Sequence, residues 1–327
     1  MTAKIAIIGS HSFSGNAYAS HLLKREPCLT VSRSPVLPSQ FEARSIGRYS
    51  EEKLIWNLNK DANDVIKSIQ KMGITIIVNF AAQSMVGQSW LTPEDWYEAN
   101  VASLSKFMNR LRNETDIERF IHFTTPEVYG STNGWIKESF HFAPNTPYAI
   151  SRAAGDWHLR ALYENFNFPV IFTRAANVYG EHQQLYRIVP KVILSALTGE
   201  KLPLQGGGKS IRSFIHASDV NAALDRVITS GKTGETYHIS TNVLTTIHDL
   251  VQKIATKINV NFDNLVEVTP DRPGKDLAYQ LDSGKIRTEL GWSDEINLDQ
   301  GLDRTIAWVE RNLDELSNMS TEYIHRK

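Results

Sequence analysis

The sequence predicts an α/β protein built on a doubly wound parallel sheet, with a smaller mixed α/β lobe beside it. Three observations carry that expectation. Short apolar runs, among them Lys4–Ile8, Ile74–Phe80, Phe120–Thr124 and Pro169–Arg174, alternate with amphipathic stretches, the pattern of strands joined by crossover helices. The first run enters Gly9-Ser-His-Ser-Phe-Ser-Gly15 and then a helical stretch to about Arg25. Strand, glycine turn and helix in that order make a Rossmann-type entry, where helix amides face a pyrophosphate. Beyond Gly180 the alternation loosens, so a second lobe is expected. Residues 1–178 and 211–243 are assigned to the dinucleotide-binding domain, and 179–210 and 244–327 to the second lobe.

Taken in order, the glycine turn offers Gly9, Ser12, Phe13, Ser14 and Gly15 as candidate cofactor residues. The second strand, Leu29–Ser32, leads to Ser32-Arg33-Ser34, where NAD-binding chains usually carry an acid for the ribose 2′-hydroxyl. Two hydroxyls and a guanidinium suit a 2′-phosphate instead, so NADP is expected, with NAD the second choice. Trp56-Asn57-Leu58-Asn59 ends a third strand and places Asn57 and Leu58 near the adenine. A helix over 61–72 precedes the fourth strand, after which Phe80, Ala81 and Ala82 let backbone approach a cofactor closely, with Ser84 just beyond.

A helix near 95–112 carries Tyr97, Val101, Leu104, Met108 and Leu111 at helical spacing, with Asn100 beside the stripe. Asn100 is a candidate for the cofactor site, either structurally or as a brace of the catalytic region. Phe120–Thr124 then delivers Thr125 and Glu127 to the carboxyl edge of the sheet, where ligands bind in open parallel sheets. Tyr148 and Arg152 stand four residues apart, on one face of a helix. A phenol with a pKa of about 10 is a poor base at neutral pH, and a neighbouring cation favours its ionised form. After Arg174–Gly180, the stretch 211–219 reads as one strand leading to a helix with Asp219 near its start.

Composition narrows the classes further. The chain has 35 basic against 36 acidic residues, which gives no electrostatic case for nucleic acid or a membrane surface. Cys28 is the single cysteine, so no disulfide framework exists and a reducing, cytoplasmic setting is expected. The longest apolar run, Ile74–Ala82, is too short to span a bilayer, and no secretory signal pattern opens the chain. The ten histidines show no metal-binding spacing, and no Gly-x-Ser-x-Gly elbow is present.

Taken together, the glycine turn, Asn79–Ser84, Thr124–Gly130, Tyr148 with its helix, Arg174–Gly180, Gly208–Arg212 and Asp271–Asp276 resemble the extended short-chain dehydrogenase/reductase family. They are most similar to its nucleotide-sugar 4,6-dehydratases. The resemblance implies a recycled, tightly bound NAD(P) and a nucleotide-diphosphate sugar in the second lobe. It implies that Thr125 hydrogen-bonds the sugar 4-hydroxyl while Tyr148, supported by Arg152, removes its proton and a hydride leaves C4. Glu127 then takes the C5 proton, water leaves C6 and hydride returns there. Ser84, Asn177, Arg212 and Arg272 match substrate-contacting positions, and a homodimer through helices at about 95–112 and 150–165 follows by analogy.

Three departures stand out. Pro126 replaces the acid of the Thr-Asp-Glu found in thymidine-linked glucose dehydratases, though guanosine-linked mannose dehydratases also lack it. Arg152 stands where the family has Lys, and Ser12 takes the place of the middle glycine, where it is expected to crowd the pyrophosphate turn. These leave two alternatives open: an epimerase of the same family, or a catalytically impaired protein that binds NAD(P) or a nucleotide sugar.

Overall fold

The computed structural model describes residues 4–43, 50–271 and 278–325. Its first strand, β1 (Ile5–Ile8), is buried on both faces. It turns into helix α1 (Phe13–Leu22), which leads to β2 (Cys28–Ser32) and the edge strand β3 (Glu51–Ile55). Helix α2 (Asn63–Met72) stops at Gly73, whose φ of +62° is a left-handed cap, and β4 (Ile76–Asn79) follows. The stretch expected as one helix near 95–112 is three segments. These are α3 (Pro93–Tyr97), a π-helical turn Glu98–Ser103 and α4 (Leu104–Glu114).

Next come β5 (Arg119–Thr124), the short β6 (Trp135–Ile136), the twenty-residue α5 (Pro147–Phe166), β7 (Val170–Ala175) and β8 (Asn177–Tyr179). The later chain gives α6 (Ile188–Thr198), β9 (Leu202–Gln205), β10 (Ile211–Arg212), β11 (Phe214–His216), α7 (Ala217–Ser230) and β12 (Thr236–Ile239). It closes with β13 (Thr245–Thr246), α8 (Ile247–Ile258), α9 (Phe262–Leu265), β14 (Val266–Thr269), β15 (Gln280–Leu281), α10 (Gly284–Leu290) and α11 (Leu298–Arg311).

Seven strands form one parallel sheet in the order β12-β7-β5-β4-β1-β2-β3. The chain winds one way from β1 to β3 and the other way from β4 outward, so a crevice opens above the carboxyl ends of β1 and β4. Apolar clusters cover both faces of this sheet, and a third, around α6, α8 and α11, forms the core of the second lobe.

Two boundaries differ from expectation. The strand expected over 211–216 breaks at Ser213, whose hydroxyl donates to the carbonyls of Thr241 and Val243. Its halves pair with different partners, β10 with β13 and β11 with β8. The tract assigned wholly to the second lobe also returns: Ile286, Leu290 and Trp292 bury in the core of the first. Asp219 at the start of α7 fastens that return. Its carboxylate accepts from the amides of Glu295 and Ile296, each at 3.1 Å, and its carbonyl from Trp292 Nε1 at 3.0 Å.

Candidate active site

A cleft of about 770 Å³ lies above the sheet's carboxyl edge and runs between the two lobes. At its first-lobe end the glycine turn is a cradle with no room for side chains. A Cβ on Gly9, at φ +81°, would lie 2.6 Å from the Ala81 amide nitrogen, and one on Gly15 would lie 2.3 Å from the Gly9 carbonyl oxygen. Gly15 therefore packs behind the turn, while Gly9, Ser12, Phe13 and Ser14 line the cleft. Ser12, expected to crowd the turn, is held by local bonds. Its φ of −69° is open to any residue, and it caps α1, accepting from the Gly15 amide at 3.1 Å. Its hydroxyl donates to the Gly9 carbonyl at 2.8 Å, so the side chain is tied to the turn's own backbone.

Of the candidate cofactor residues, Ser32, Arg33, Ser34, Asn57, Leu58, Phe80, Ala81 and Ala82 all line the cleft. The Ser32 hydroxyl is already engaged, donating to the Ser34 carbonyl at 2.7 Å. Asn57 Oδ1 accepts from the Asn59 amide and shapes the turn after β3. Asn100 does not reach the cleft. From the π-helical turn it accepts from the Gln83 amide at 2.9 Å and donates to the Gln83 carbonyl and to Ser151 Oγ. Ser151 in turn donates to the Tyr148 carbonyl. Asn100 is thus a positioning residue that ties the loop after β4 to the helix carrying Tyr148. Gly155 completes this joint, since a Cβ there would stand 2.8 Å from the Asn100 carbonyl oxygen.

The candidate catalytic residues lie together at the centre. Thr125 caps a short 3₁₀ turn over Pro126–Tyr129, accepting from the Glu127 amide at 3.2 Å. Pro126 fills the first position of that turn, where a missing amide costs nothing. This accounts for the proline locally, although it leaves no acid there. Thr146 caps α5 and Pro147 starts it, which places Tyr148 in the first turn. Thr125, Glu127, Tyr148 and Arg152 all line the cleft.

Burial pushes the Tyr148 phenol up and Glu127 adds to this, while Arg152 and a hydrogen bond from Thr125 pull it down; the net direction is upward. Arg152 acts in the direction the sequence implied, but burial wins, and the phenol is neutral at neutral pH. Arg152 is 5% exposed, and its guanidinium donates from Nη2 to the Phe123 carbonyl at 2.6 Å.

Beneath this centre lies a fully buried polar chain. Arg174 Nη2 meets Asp156 Oδ2 at 2.8 Å, Thr124 Oγ1 donates to the same oxygen, and His122 Nε2 stands 3.5 Å from Oδ1. Burial alone would raise the Asp156 carboxyl, but His122 and then the Arg174 and Arg152 charges hold it below its usual range. Two turns along α5 from Tyr148, this carboxylate compensates the cations around the site.

Ser84 in the loop after β4, Asn177 on β8 and Arg212 on β10 also line the cleft. Ser84 Oγ accepts from Arg187, and Asn177 Oδ1 accepts a short hydrogen bond from the Tyr279 hydroxyl. Arg212 is 8% exposed, and its guanidinium carbon lies 4.4 Å from the centre of the Tyr279 ring. Arg272, the remaining candidate, lies outside the described residues. Sequence reasoning missed Arg187 and Tyr279 as individual residues, and also Tyr323, which enters the cleft from near the chain's end. None of them carries a motif. Among the described residues there is no cluster of side chains able to hold a metal, and no helix is long and apolar enough to cross a membrane.

Comparison with known proteins agrees with this fold. The family model described as GDP-mannose 4,6 dehydratase matches residues 7–305. A dTDP-glucose 4,6-dehydratase of Escherichia coli is 30% identical, over 97% of this chain and 96% of its own. Among solved structures, the dTDP-glucose 4,6-dehydratase DesIV of Streptomyces venezuelae, with NAD bound, superposes with a TM-score of 0.85 at 28% identity. That match covers 95% of this chain and 98% of the other. A UDP-glucuronic acid 4-epimerase of Bacillus cereus shares the fold, with a TM-score of 0.84 at 20% identity over 94% of this chain and 99% of its own.

Proposed function

The chain belongs to the GDP-mannose 4,6 dehydratase family, and from that premise we propose that the cleft turns a nucleotide-diphosphate hexose into its 4-keto-6-deoxy derivative with loss of water. The observation that carries the reading is the convergence of Thr125, Glu127 and Tyr148 on one wall, beside a glycine cradle a Cβ would fill. That cradle and the amides opening α1 fit a dinucleotide pyrophosphate. Gly9, Ser12, Phe13, Ser14, Arg33, Ser34, Asn57, Leu58, Phe80, Ala81 and Ala82 would hold the cofactor. A nicotinamide held there would supply the hydride acceptor for sugar C4 and the hydride donor for C6.

Within that frame Thr125 and Tyr148 hold the 4-hydroxyl, and Tyr148 accepts its proton as the C4–H bond breaks. The Arg152 charge favours the tyrosinate that must be present before that proton is accepted, against the burial that keeps the free protein's phenol neutral. A ketone at C4 acidifies the C5 proton, which Glu127 removes. With Pro126 in place of an acid, Glu127 itself hands that proton to the departing C6 hydroxyl, which leaves as water. C5 would then take a proton from solvent, balanced by the one Tyr148 returns to solvent, as C6 gains the hydride. Asn177 and Arg212 grip the diphosphate, as charge-assisted bonds to an anion require; Arg272 is assigned the same role from its motif.

Turnover in heavy water tests this. The expected product carries deuterium at C5 and has lost the C6 oxygen. An isomer that keeps it establishes the epimerase reading, the one Pro126 favours. Absence of turnover across a broad panel of nucleotide sugars establishes a binding protein. Glu127→Gln should slow dehydration by ~10²–10⁴-fold while reduced-nicotinamide absorbance still forms; unimpaired dehydration would remove Glu127 from its role.

For the cofactor, Arg33 at the end of β2 supports NADP over NAD. Arg33→Ala should weaken NADP by ~10-fold more than NAD, and equal losses would remove the preference. Tyr97, Ile150 and Trp157, 38%, 42% and 49% exposed on α3 and α5, support a homodimer through those helices; a single-chain mass by light scattering overturns it. The lone, buried Cys28 supports a cytoplasmic setting, and exclusive recovery from another compartment would contradict it.

A further inference from the structure

The end of the chain returns to the cleft. Beyond α11, residues 320–325 cross its mouth, and they are fastened on both sides. On the second lobe, Lys191 Nζ of α6 donates to Glu322 Oε1 at 2.8 Å. On the first lobe, His325 stacks on Trp96, with ring centroids 4.9 Å apart and planes 16° from parallel. Its Nε2 lies 2.9 Å from Asp95 Oδ2. Ile324, by contrast, is 66% exposed. Alternation of this kind turns Tyr323 and His325 inward and their neighbours out, as in any extended segment laid on a surface.

Tyr323 is the residue that this crossing carries into the cleft. Its hydroxyl points to Gln83 Oε1 at 3.4 Å, in the loop after β4 on the cofactor wall. Its ring meets Tyr186 edge to face, centroids 5.2 Å apart, on the opposite wall. Arg33 and Arg187 both act on it electrostatically, one from each lobe, and burial keeps the phenol protonated. A protonated phenol that feels the charges of Arg33 and Arg187 can still donate a hydrogen bond. Its natural complement is a phosphate or ribose oxygen of an anionic ligand.

We propose that residues 320–325 form the outer wall of the dinucleotide site, with Tyr323 a binding residue that closes over the cofactor between Arg33 and the catalytic end. This rests on the reading of the cleft as a dinucleotide site and deepens it. A cofactor that is reduced and reoxidised within one turnover has to stay bound through the cycle. A segment anchored to both lobes supplies that retention without blocking the sugar end. His325 is a positioning residue here: it touches no ligand and holds the segment down through Trp96 and Asp95.

Release of reduced dinucleotide from the loaded protein, followed by fluorescence after dilution into excess NAD, tests the assignment. The full chain is compared with Tyr323→Ala, His325→Ala and a chain ending at Met319. Release should be ~10-fold or more faster from Tyr323→Ala and from the shortened chain, because interface changes act mostly on the off-rate. From His325→Ala it should be severalfold faster. Tyr323→Phe, which keeps the ring and so guards against a folding artefact, should retain the dinucleotide longer than Tyr323→Ala. Parental release from Tyr323→Ala and the shortened chain would overturn the outer wall and leave the cofactor reading standing. A full chain that takes up no dinucleotide would overturn both.

Discussion

The two sides of the cleft are built by different means. The first-lobe side hangs its reacting groups from long, buried elements: Thr125 and Glu127 follow the six-residue β5, and Tyr148 opens the twenty-residue α5. The facing side is assembled from fragments. Arg212 stands on a two-residue strand, and the β9–β14 pair is four residues long on each side. Chemistry needs atoms placed to fractions of an ångström, which a seven-stranded sheet supplies. Recognition of a flexible, anionic ligand needs charge and reach, which short strands and loops supply.

Mutations on each side should therefore read out differently. Tyr148→Phe is expected to lower kcat by ~10³–10⁴-fold, to abolish reduced-nicotinamide absorbance, and to change KM little. Arg212→Ala is expected to raise KM by ~10–100-fold with a much smaller effect on kcat. Steady-state kinetics with one nucleotide sugar measures both. If Arg212→Ala fell mainly on kcat, the division between chemistry and recognition would be false.

The smallest effect concerns the seam between the lobes. Burial would raise the Glu181 carboxyl, but the His216 ring at 3.0 Å, a backbone bond and Arg304 bring it down to about 2 from its ordinary 4.5. A carboxyl lowered on folding contributes stability that is fully present above its unfolded pKa and lost as pH falls through the folded one. Glu181→Gln should cost ~1–2 kcal/mol after solvent screening, seen at neutral pH by denaturant titration. The difference from the parent should shrink from about pH 4.5 downward and vanish near pH 2. A pH-independent difference would show that Glu181 acts by packing alone.

The same asymmetry governs what could be read in advance. Strands β1, β4, β5 and β7 were legible because burial on both faces forces continuous apolar runs, and α5 because Pro147 marks its first turn. The pairs β9–β14 and β6–β15 carry no period at two to four residues, so nothing announced them. Ser12 was legible as a departure, but only its φ and hydrogen bonds show why a side chain is tolerated there. Asn100 was legible as buried and in need of partners, while its partners, Gln83 and Ser151, are set by tertiary packing. Tyr279 and Tyr323 reach the cleft from sequence distances that no local pattern encodes. Pro126 was read as the loss of an acid; its fit at the head of the 3₁₀ turn is a backbone property seen once the turn is built.

The joint at Gly155 has a consequence for how finely this enzyme is tuned. Alanine there would demand space already filled by the Asn100 carbonyl, forcing α5 and the π-helical turn apart. The displacement would travel seven residues, about two helical turns, to the phenol at the head of α5. A single added methyl group, remote from every reacting atom, would thus act as a shim that detunes proton transfer and leaves the grip on the nucleotide untouched.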